Sequence, residues 1–332
     1  MILADLPIFD VPLTGSESKL LYLPVPWEAT VSYGHGTAKG PAAILRASYQ
    51  LDLFDRQIDR PYLAGFEMLS ENPELHQWNQ EARLMVHRVL ENRDREAVAR
   101  VNQLSVQLNR FVYSEVRSYR KAGKYLGLIG GEHSVSFGGI QAIAEEHSSL
   151  GVLQFDAHMD ARRAYQDFEW SHASVMYNVL ERIPQVTKLV QVGIRDFCEE
   201  ELQYLNGQKD RVRIFYDYEC ARRKFEGVFW KTITEEIISE LPQDVWISFD
   251  IDGLDPKFCP STGTPVPGGL DFNEAVYVLE KLVQSGRKII GFDLVEVAPG
   301  KSSEWDANVG MRLLYKLSAW FMASQGLVTR LS

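Results

Sequence analysis

Cysteine and long apolar runs are both scarce in this 332-residue sequence. The three cysteines, Cys198, Cys220 and Cys259, include no CxxC pair, which argues against a disulfide framework and predicts a reducing, cytoplasmic location. No apolar run reaches the ~18 residues that a membrane span needs, so no membrane partner is expected. The first ten residues lack the basic segment and apolar stretch of a secretory signal, so no leader is expected.

Positive charge is also in deficit, because 35 Lys and Arg stand against 45 Asp and Glu, for a formal net charge of -10. Nucleic-acid phosphates require a basic surface, so a nucleic-acid partner is not expected. An acidic chain first of all keeps a protein soluble, and it also suits a small cationic ligand. The 45% of hydrophobic residues are typical of a globular protein that buries a sizeable core.

Short apolar runs alternate with helical patterns along most of the chain. Residues 20–25 predict a first strand, and residues 41–50 predict a helix that begins at a proline. Between 75 and 122 the apolar side chains recur at helical spacing and Gly123 follows, which predicts a helical hairpin. Further strands are predicted for YLGLIG, LGVLQFD, KLVQVGI, VRIFYD, DVWISFDID and KIIGFDLVEV. This alternation predicts a three-layer α/β fold with a central, mostly parallel sheet, as a single domain over 1–332.

Residue types that bind metals stand where the predicted strands end. Asp156, His158 and Asp160 occupy every second position, which on a strand would direct three side chains to one face. Asp250 and Asp252 repeat this spacing, and two neighbouring buried carboxylates need a compensating cation. Taken singly, each group would also fit solvated acids at a strand end.

His133 follows Gly130 and Gly131 at the end of another predicted strand, where glycines allow close backbone approach. Alone it would also fit a hydrogen-bonded core histidine. Ligands bind beyond the carboxyl ends of the strands in open α/β sheets, so we expect the three strand ends to form one site. Two imidazoles and four carboxylates without a thiolate suit Mn²⁺, with Ni²⁺ or Co²⁺ as alternatives. Six ligands predict two ions about 3.5–4 Å apart, with some carboxylates bridging them.

Long segments around these residues resemble the ureohydrolases, the family of arginase and agmatinase. The resembling segments are GGEHS at 130–134, DAHMD at 156–160, SFDIDGLDPKFCPSTGTPVPGG at 248–269, DLVEVAP at 293–299 and, near the start, PWEATVSYGHGTAKGPAAI. The resemblance implies an arginase-like fold, a pair of Mn²⁺ ions per subunit and a homo-oligomer, either a trimer or a hexamer. It also implies hydrolysis of a small cationic guanidino compound to urea and an amine.

Site residues follow from the same resemblance. The implied metal ligands are His133, Asp156, His158, Asp160, Asp250 and Asp252. Asp160 is also expected to accept a hydrogen bond from the attacking hydroxide. Glu296 resembles the carboxylate that binds the substrate guanidinium, with which it can form two parallel hydrogen bonds. His172 resembles a loop histidine that aids proton transfer near the leaving amine, a task that suits a pKa near neutrality.

Departures from arginase bear on the substrate. The segment 161–170 lacks the Asn, Ser and Thr residues that hold the amino-acid head group in arginases, and Cys198 stands where a second acid would follow Asp196. Agmatine is therefore expected as the substrate, cleaved to putrescine and urea. Candidate acids for its distal amine are Asp167, Glu169 and the run Glu199–Glu201, whereas Arg162 and Arg163 would oppose a cationic tail if they faced the pocket.

Other interpretations remain open. Glu132 stands where the family often has Asp, and we expect it to hold His133 or nearby backbone. Alternative substrates are L-arginine, guanidinobutyrate, guanidine and formiminoglutamate. A non-enzymatic, metal-bound scaffold is a different class of function. A zinc deacetylase would need one metal ion and a different ligand spacing.

Overall fold

A computed structural model describes residues 7–11 and 18–331. Within them the chain forms eight strands: β1 Leu20–Val25, β2 Phe66–Met68, β3 Tyr125–Gly130, β4 Leu150–Phe155, β5 Val186–Ile194, β6 Val212–Tyr216, β7 Asp244–Asp250 and β8 Lys288–Val295. They make one sheet in the order β2-β1-β3-β8-β7-β4-β5-β6, and every neighbouring pair is parallel.

Helices cover both faces of this sheet. Among the described residues they are α1 Gly40–Ala47, α2 Pro73–Asn92, α3 Arg95–Lys121, α4 Ser136–Ala144, α5 Val175–Arg182, α6 Glu199–Gly207, α7 Asp217–Phe225, α8 Trp230–Ser239, α9 Phe272–Gln284 and α10 Trp305–Ser324. One buried apolar cluster joins the sheet to α1 and α7–α10, and a second joins it to α2–α6. The expected three-layer α/β fold is therefore confirmed, with a sheet that is parallel throughout.

Strand β1 illustrates why the sheet needs both helical layers. Leu20 and Tyr22 belong to one apolar cluster, while Leu21, Leu23 and Val25 belong to the other. Successive side chains of a strand point to opposite faces, so a strand that is apolar at almost every position must be covered twice. The same pattern allowed β1 and β3–β8 to be predicted from the sequence. The three-residue β2 was not predicted, because it is too short for a periodic signal.

The predicted helical hairpin between 75 and 122 is present as α2 and α3. Arg93 ends α2 in the left-handed region, and the Asp94 carboxylate then caps α3 by accepting hydrogen bonds from the backbone of Glu96 and Ala97. After α3, Gly123 adopts a φ of 77°. No helix in the described part of the chain is long and apolar enough to cross a membrane.

Candidate metal centre and substrate cavity

The candidate ligands come from strands that are neighbours in the middle of the sheet. These neighbouring strands follow the order β3-β8-β7-β4 in the sheet. His133 lies shortly after β3, Glu296 directly after β8, Asp250 at the end of β7 and Asp156 directly after β4. All four strands are parallel, so their carboxyl ends lie at one edge of the sheet.

A first group of ligand atoms surrounds the buried imidazole of His133. Its Nδ1 lies 3.0 Å from Asp156 Oδ2, 2.9 Å from Asp160 Oδ2 and 3.5 Å from Asp250 Oδ2. The ligand atoms of His133, Asp156 and Asp250 all lie within 4.8 Å of one another, a separation at which they could hold one cation. Asp160 falls outside that trio, although it contacts the same imidazole.

A second group forms beside the first around His158. Its Nδ1 lies 3.1 Å from Asp252 Oδ2 and 3.5 Å from Asp156 Oδ1. These three residues also bring ligand atoms within 4.8 Å of one another. Asp156 belongs to both groups, with one carboxylate oxygen toward each imidazole, which is the arrangement of a carboxylate that bridges two ions.

The local backbone differs from the prediction that these ligands lie along strands. Strand β4 ends at Phe155, before the first ligand, and Asp252 lies in a short 3-10 turn after β7. The Asp156 carboxylate accepts a hydrogen bond from the backbone N–H of His158 at 2.7 Å, and Asp250 accepts one from Asp252 at 2.9 Å. A carboxylate that accepts a hydrogen bond from the backbone N–H two residues further on forms a tight turn. These turns, and not the alternation of side chains along a strand, bring the ligand side chains together.

A hydrogen-bonded chain orients His133. The Ser248 hydroxyl donates to Asp293 Oδ1 at 2.9 Å, so it accepts from His133 Nε2, also at 2.9 Å. Trp246 Nε1 donates to the other Asp293 oxygen. Since Nε2 carries a proton, the Nδ1 of the neutral imidazole would present its lone pair toward Asp156, Asp160 and Asp250. This donor set fits a divalent cation, which accepts the lone pair and compensates the carboxylates.

The pKa values of His133, Asp160 and Asp250 also show that this cluster of carboxylates is stabilised by positive charge. Burial alone would lower the pKa of His133, but hydrogen bonds with Asp156, Asp160 and Asp250 raise it well above its usual value. Burial and the neighbouring Asp156 charge raise the pKa of Asp160 to about 7. Burial and Asp252 raise the pKa of Asp250 well above the ordinary range. Without metal the cluster therefore retains protons, which supply the charge that cations would otherwise supply.

Glu296 is buried next to the backbone of His133. Its Oε1 accepts the backbone N–H of His133 at 2.9 Å, and its Oε2 is buried without a hydrogen-bond partner among the described residues. Both Glu296 and Asp160 have positive φ, 62° and 52°, which costs energy for a residue other than glycine. Such strain at two predicted site residues, together with an unpaired carboxylate oxygen, indicates a position that receives a donor from a ligand.

Glu132 holds the neighbouring loop, as predicted for nearby backbone, and makes no hydrogen bond to His133. Its carboxylate accepts from Trp27 Nε1, from both the backbone N–H and the hydroxyl of Thr30, and from the Ser134 hydroxyl. Gly131 allows this approach, because a Cβ there would lie 1.9 Å from the Trp27 carbonyl oxygen. Glu132 thereby fixes residues 26–38 against the end of β3.

Helix α2 fixes the same loop from its other side. Asn79 accepts a hydrogen bond from the backbone N–H of Glu28 at 2.8 Å, and Arg83 pairs with the Glu28 carboxylate at 2.6 Å. The remaining Glu28 oxygen accepts the backbone N–H groups of Gly36 and Ala38. The helical hairpin is thus connected to a loop that reaches the candidate site through Thr30 and Ser32.

A cavity of 190 Å³ opens beside the candidate ligands His158 and Asp160. It is lined by Ser32, His158, Asp160, Arg162, Tyr165, His172, Ala173, Asp196, Phe197, Glu201 and Thr264. The cavity therefore brings His172 together with two candidate ligands, His158 and Asp160, and Glu296 does not line it.

His172 is held in one tautomer. The Thr30 hydroxyl donates to Glu132 at 2.9 Å, so at 3.2 Å it accepts from His172 Nδ1, which leaves Nε2 as the acceptor. Burial and the nearby imidazoles of His158 and His133 lower the pKa of His172 to about 3. The expected pKa near neutrality is therefore wrong for this environment, and the imidazole is neutral near pH 7.

Several acids proposed for the substrate tail lie elsewhere. Asp167 and Glu169 are exposed and do not line the cavity, and Glu199 and Glu200 are exposed on α6. Glu201 does line the cavity, but its oxygens accept the backbone N–H groups of Ala161 and Cys198. Asp167, Glu169, Glu199 and Glu200 are therefore solvated surface acids, and of the candidate acids named for the tail only Glu201 lines this cavity.

Asp196 and Arg162 are the charged groups at the cavity wall that remain available. Asp196 is 68% exposed, and its nearest charged neighbour in the described chain is His158 Nε2 at 3.9 Å. Arg162 also lines the cavity, lies over the Tyr165 ring at 5.1 Å, and has Nε 3.5 Å from Glu201. Since Glu201 largely balances Arg162, Asp196 is the uncompensated charge of this wall.

Comparisons with known proteins agree with this architecture. A protein-family model described as "Arginase family" matches residues 18–319. The sequence is 32% identical over 284 residues to an N(1)-aminopropylagmatine ureohydrolase of Thermus thermophilus, covering 85% of this chain and 84% of that protein. It is 31% identical over 312 residues to the enzyme of the same name from Synechocystis sp., covering 93% and 91%. The crystal structure of agmatine ureohydrolase of Thermoplasma volcanium superimposes with a TM-score of 0.75 at 23% identity, covering 98% of this chain and 97% of that one.

Proposed function

This chain belongs to the arginase family, and from that membership we propose that it hydrolyses agmatine to putrescine and urea at a pair of Mn²⁺ ions. As a ureohydrolase it acts on a small guanidino compound. The observation that carries the finer proposal is the pair of ligand groups that share Asp156 directly below a cavity whose uncompensated charge is Asp196.

Two bound Mn²⁺ ions would lower the pKa of a shared water to near neutrality and stabilise charge that develops in the transition state. His133, Asp156 and Asp250 would hold one ion, and Asp156, His158 and Asp252 the other. Asp160, which faces the cavity floor, would ligate from the His133 side and accept a hydrogen bond from the attacking oxygen.

The substrate guanidinium would lie within reach of both the ligand groups and Glu296. The unpaired Glu296 Oε2 is a strong acceptor for a guanidinium N–H group. His172 would accept a proton at Nε2 and pass it to the departing amine, because its Nδ1 is already engaged by Thr30. Its neutral imidazole suits transfer of a proton that the reaction itself releases.

Asp196 would bind the distal ammonium of the substrate. The aromatic rings of Tyr165 and Phe197 line the same cavity, and aromatic faces attract ammonium groups. Relatives from Thermus thermophilus and Synechocystis sp. are named for N(1)-aminopropylagmatine, whose longer tail would extend past Asp196 toward solvent. N(1)-aminopropylagmatine is therefore the second candidate substrate, because its tail is also cationic.

One observation favours a different tail. Arg162 lines the cavity, and a carboxylate-bearing guanidino compound, such as guanidinobutyrate or L-arginine, could compete with Glu201 for its guanidinium. The two interpretations place opposite charges on the substrate tail, so substrate preference separates them.

A substrate panel tests the proposal. Urea release is measured with Mn²⁺-loaded protein on agmatine, N(1)-aminopropylagmatine, L-arginine, guanidinobutyrate and guanidine, and formamide release on formiminoglutamate. We expect the highest kcat/KM with a cationic-tail substrate, and none after chelation. A preference for a carboxylate tail would refute the agmatine assignment but leave the ureohydrolase assignment intact.

Asp196→Asn should raise the KM for agmatine about two- to fivefold with little change in kcat, since an exposed ion pair contributes about 0.2–1 kcal/mol. Guanidine, which has no tail, is the internal control and should keep its kinetic constants. Glu199→Asn removes the same charge from an exposed neighbour outside the cavity and should change neither substrate. An equal effect of the two variants on agmatine would contradict the role of Asp196.

His172→Asn should lower kcat for agmatine by about 10²-fold, the usual contribution of a positioned proton-transfer group. Manganese binding should be unchanged, because His172 belongs to neither ligand group. Steady-state kinetics and calorimetric Mn²⁺ titration are compared with His147→Asn, a histidine that pairs with Asp244 at the amino end of β7. Wild-type turnover in the His172 variant would refute its proton-transfer role.

A further inference from the structure

Arg195 binds main-chain carbonyl groups at the carboxyl edge of the sheet. It follows β5, and its half-buried guanidinium donates to the carbonyl oxygens of Gly193 at 2.9 Å, Asp252 at 2.7 Å, Leu254 at 3.2 Å and Val266 at 3.0 Å. A guanidinium has five N–H donors in one rigid plane, so it fixes the relative positions of all the groups that it bonds.

The backbone next to this side chain binds the loop after β4. The backbone N–H groups of Arg195 and Asp196 both donate to the Ala157 carbonyl, at 2.8 and 3.1 Å. Ala157 N–H in turn donates to Asp252 Oδ1 at 3.0 Å. A Cβ at Gly253 would lie 2.7 Å from the Asp156 backbone nitrogen, so the two loops are in direct contact. Arg195 is thus the point at which the loops after β4, β5 and β7 are connected.

These loops carry all of one ligand group but only part of the other. Asp156, His158 and Asp252 all lie on the two loops connected at Arg195. The other group shares Asp156 but adds His133, which is held by the Ser248–Asp293 chain and the Glu296 carboxylate, away from the Arg195 guanidinium. The group formed by Asp156, His158 and Asp252 therefore depends more on Arg195 than the group around His133 does.

We propose that Arg195 is a positioning residue that sets the metal affinity of the group formed by Asp156, His158 and Asp252. The inference rests on the proposed function to the extent that this group binds the second ion. Without the guanidinium, carbonyls of four residues lose a charged donor. The turn that carries Asp252 then loses its bond to the end of β5 and keeps only the bond from Ala157 N–H to Asp252 Oδ1 toward the loop that carries His158. Ligands that must meet within a fraction of an ångström are sensitive to such release, and loss of a supporting residue typically weakens metal binding about 10–100-fold.

Calorimetric titration of metal-free protein with MnCl₂ tests the proposal. Wild-type protein should bind two equivalents. Arg195→Met keeps an unbranched, flexible side chain but no hydrogen-bond donor, and it should retain one binding event while the other weakens at least about tenfold. Arg195→Lys, which restores charge and up to three donors, should recover part of that loss.

Arg211→Met is the matched control. Arg211 also donates to main-chain carbonyls, those of Leu180 at 3.1 Å and Val186 at 2.8 Å, but it does so at the opposite edge of the sheet, where β5 begins. This variant should lose some thermal stability and keep both binding events. Arg195→Met should also regain turnover as MnCl₂ is raised, whereas a merely destabilised protein would not.

The outcomes separate the two hypotheses. Two undiminished binding events in Arg195→Met, or two events weakened equally, would overturn the role of Arg195 and leave the proposed function standing. Selective loss of one event without urea release from any guanidino compound would refute the proposed function and support the positioning role. Absence of any Mn²⁺ binding by the wild-type protein would refute both.

Discussion

Asp156→Asn should remove both manganese-binding events and abolish measurable urea release. Asp156 is fully buried and is the one residue that belongs to both ligand groups, with Oδ2 3.0 Å from His133 and Oδ1 3.5 Å from His158. Although its burial opposes ionisation, hydrogen bonds with both histidines hold its pKa well below the usual range, so it is a carboxylate at any working pH. Removing one partner of a buried charge cluster costs about 3–5 kcal/mol, which corresponds to about 150- to 5,000-fold weaker binding.

Calorimetry and metal analysis of the purified variant measure this loss, and a urea assay measures activity. Asp244→Asn is the matched control, because Asp244 is an aspartate at the amino end of β7, where it pairs with His147 at 2.9 Å. That variant should bind two ions. If Asp156→Asn retained either two ions or wild-type turnover, Asp156 would not be the shared ligand.

Glu296→Gln should separate substrate binding from metal binding. Glu296 belongs to neither ligand group, so Mn²⁺ stoichiometry should be unchanged. The glutamine keeps an oxygen for the His133 backbone N–H but loses the charge that would face the substrate guanidinium. Breaking a buried, hydrogen-bonded charge pair costs about 2–5 kcal/mol, so kcat/KM for agmatine should fall by about 30- to 5,000-fold.

Kinetics and metal titration should be compared with Glu304→Gln, which removes the same charge from an exposed position before α10. That control should resemble the wild type in both measurements. If Glu296→Gln lost metal binding and activity together, Glu296 would be a residue that supports the metal ligands and not one that binds the substrate. Unchanged kcat/KM would exclude it from the reaction.

The sequence predicted most of the fold because buried parallel strands leave a strong local signal. Seven of the eight strands in the described chain coincide with apolar runs, and the hairpin of α2 and α3 follows from its helical period. The convergence of the ligands was also predictable, since parallel strands present their carboxyl ends at one edge. What failed was the local conformation: Asp156, His158 and Asp160 lie beyond β4, because carboxylate-to-backbone bonds form turns that no alternation of residue types reveals.

Residues that act through distant partners were not predictable. Ser248 and Asp293 are 115 and 160 positions from the imidazole that they orient, and nothing in their own neighbourhoods indicates that they meet it. Arg195 bonds only main-chain oxygens through its side chain, and main-chain groups are present at every position, so its role has no compositional signature. Asp167 and Glu169 show the converse, because their charge suggested a binding role that their location excludes.

The attachment of α2 to Glu28 connects an outer helix to the support of the proton-transfer histidine. Asn79 and Arg83 hold Glu28 in the loop that also carries Thr30, and the Thr30 hydroxyl bonds both His172 and Glu132. A rotation of α2 would therefore displace the cavity rim and the support of His172 together. Selection on catalysis would thus extend to a helix that supplies none of the proposed ligands.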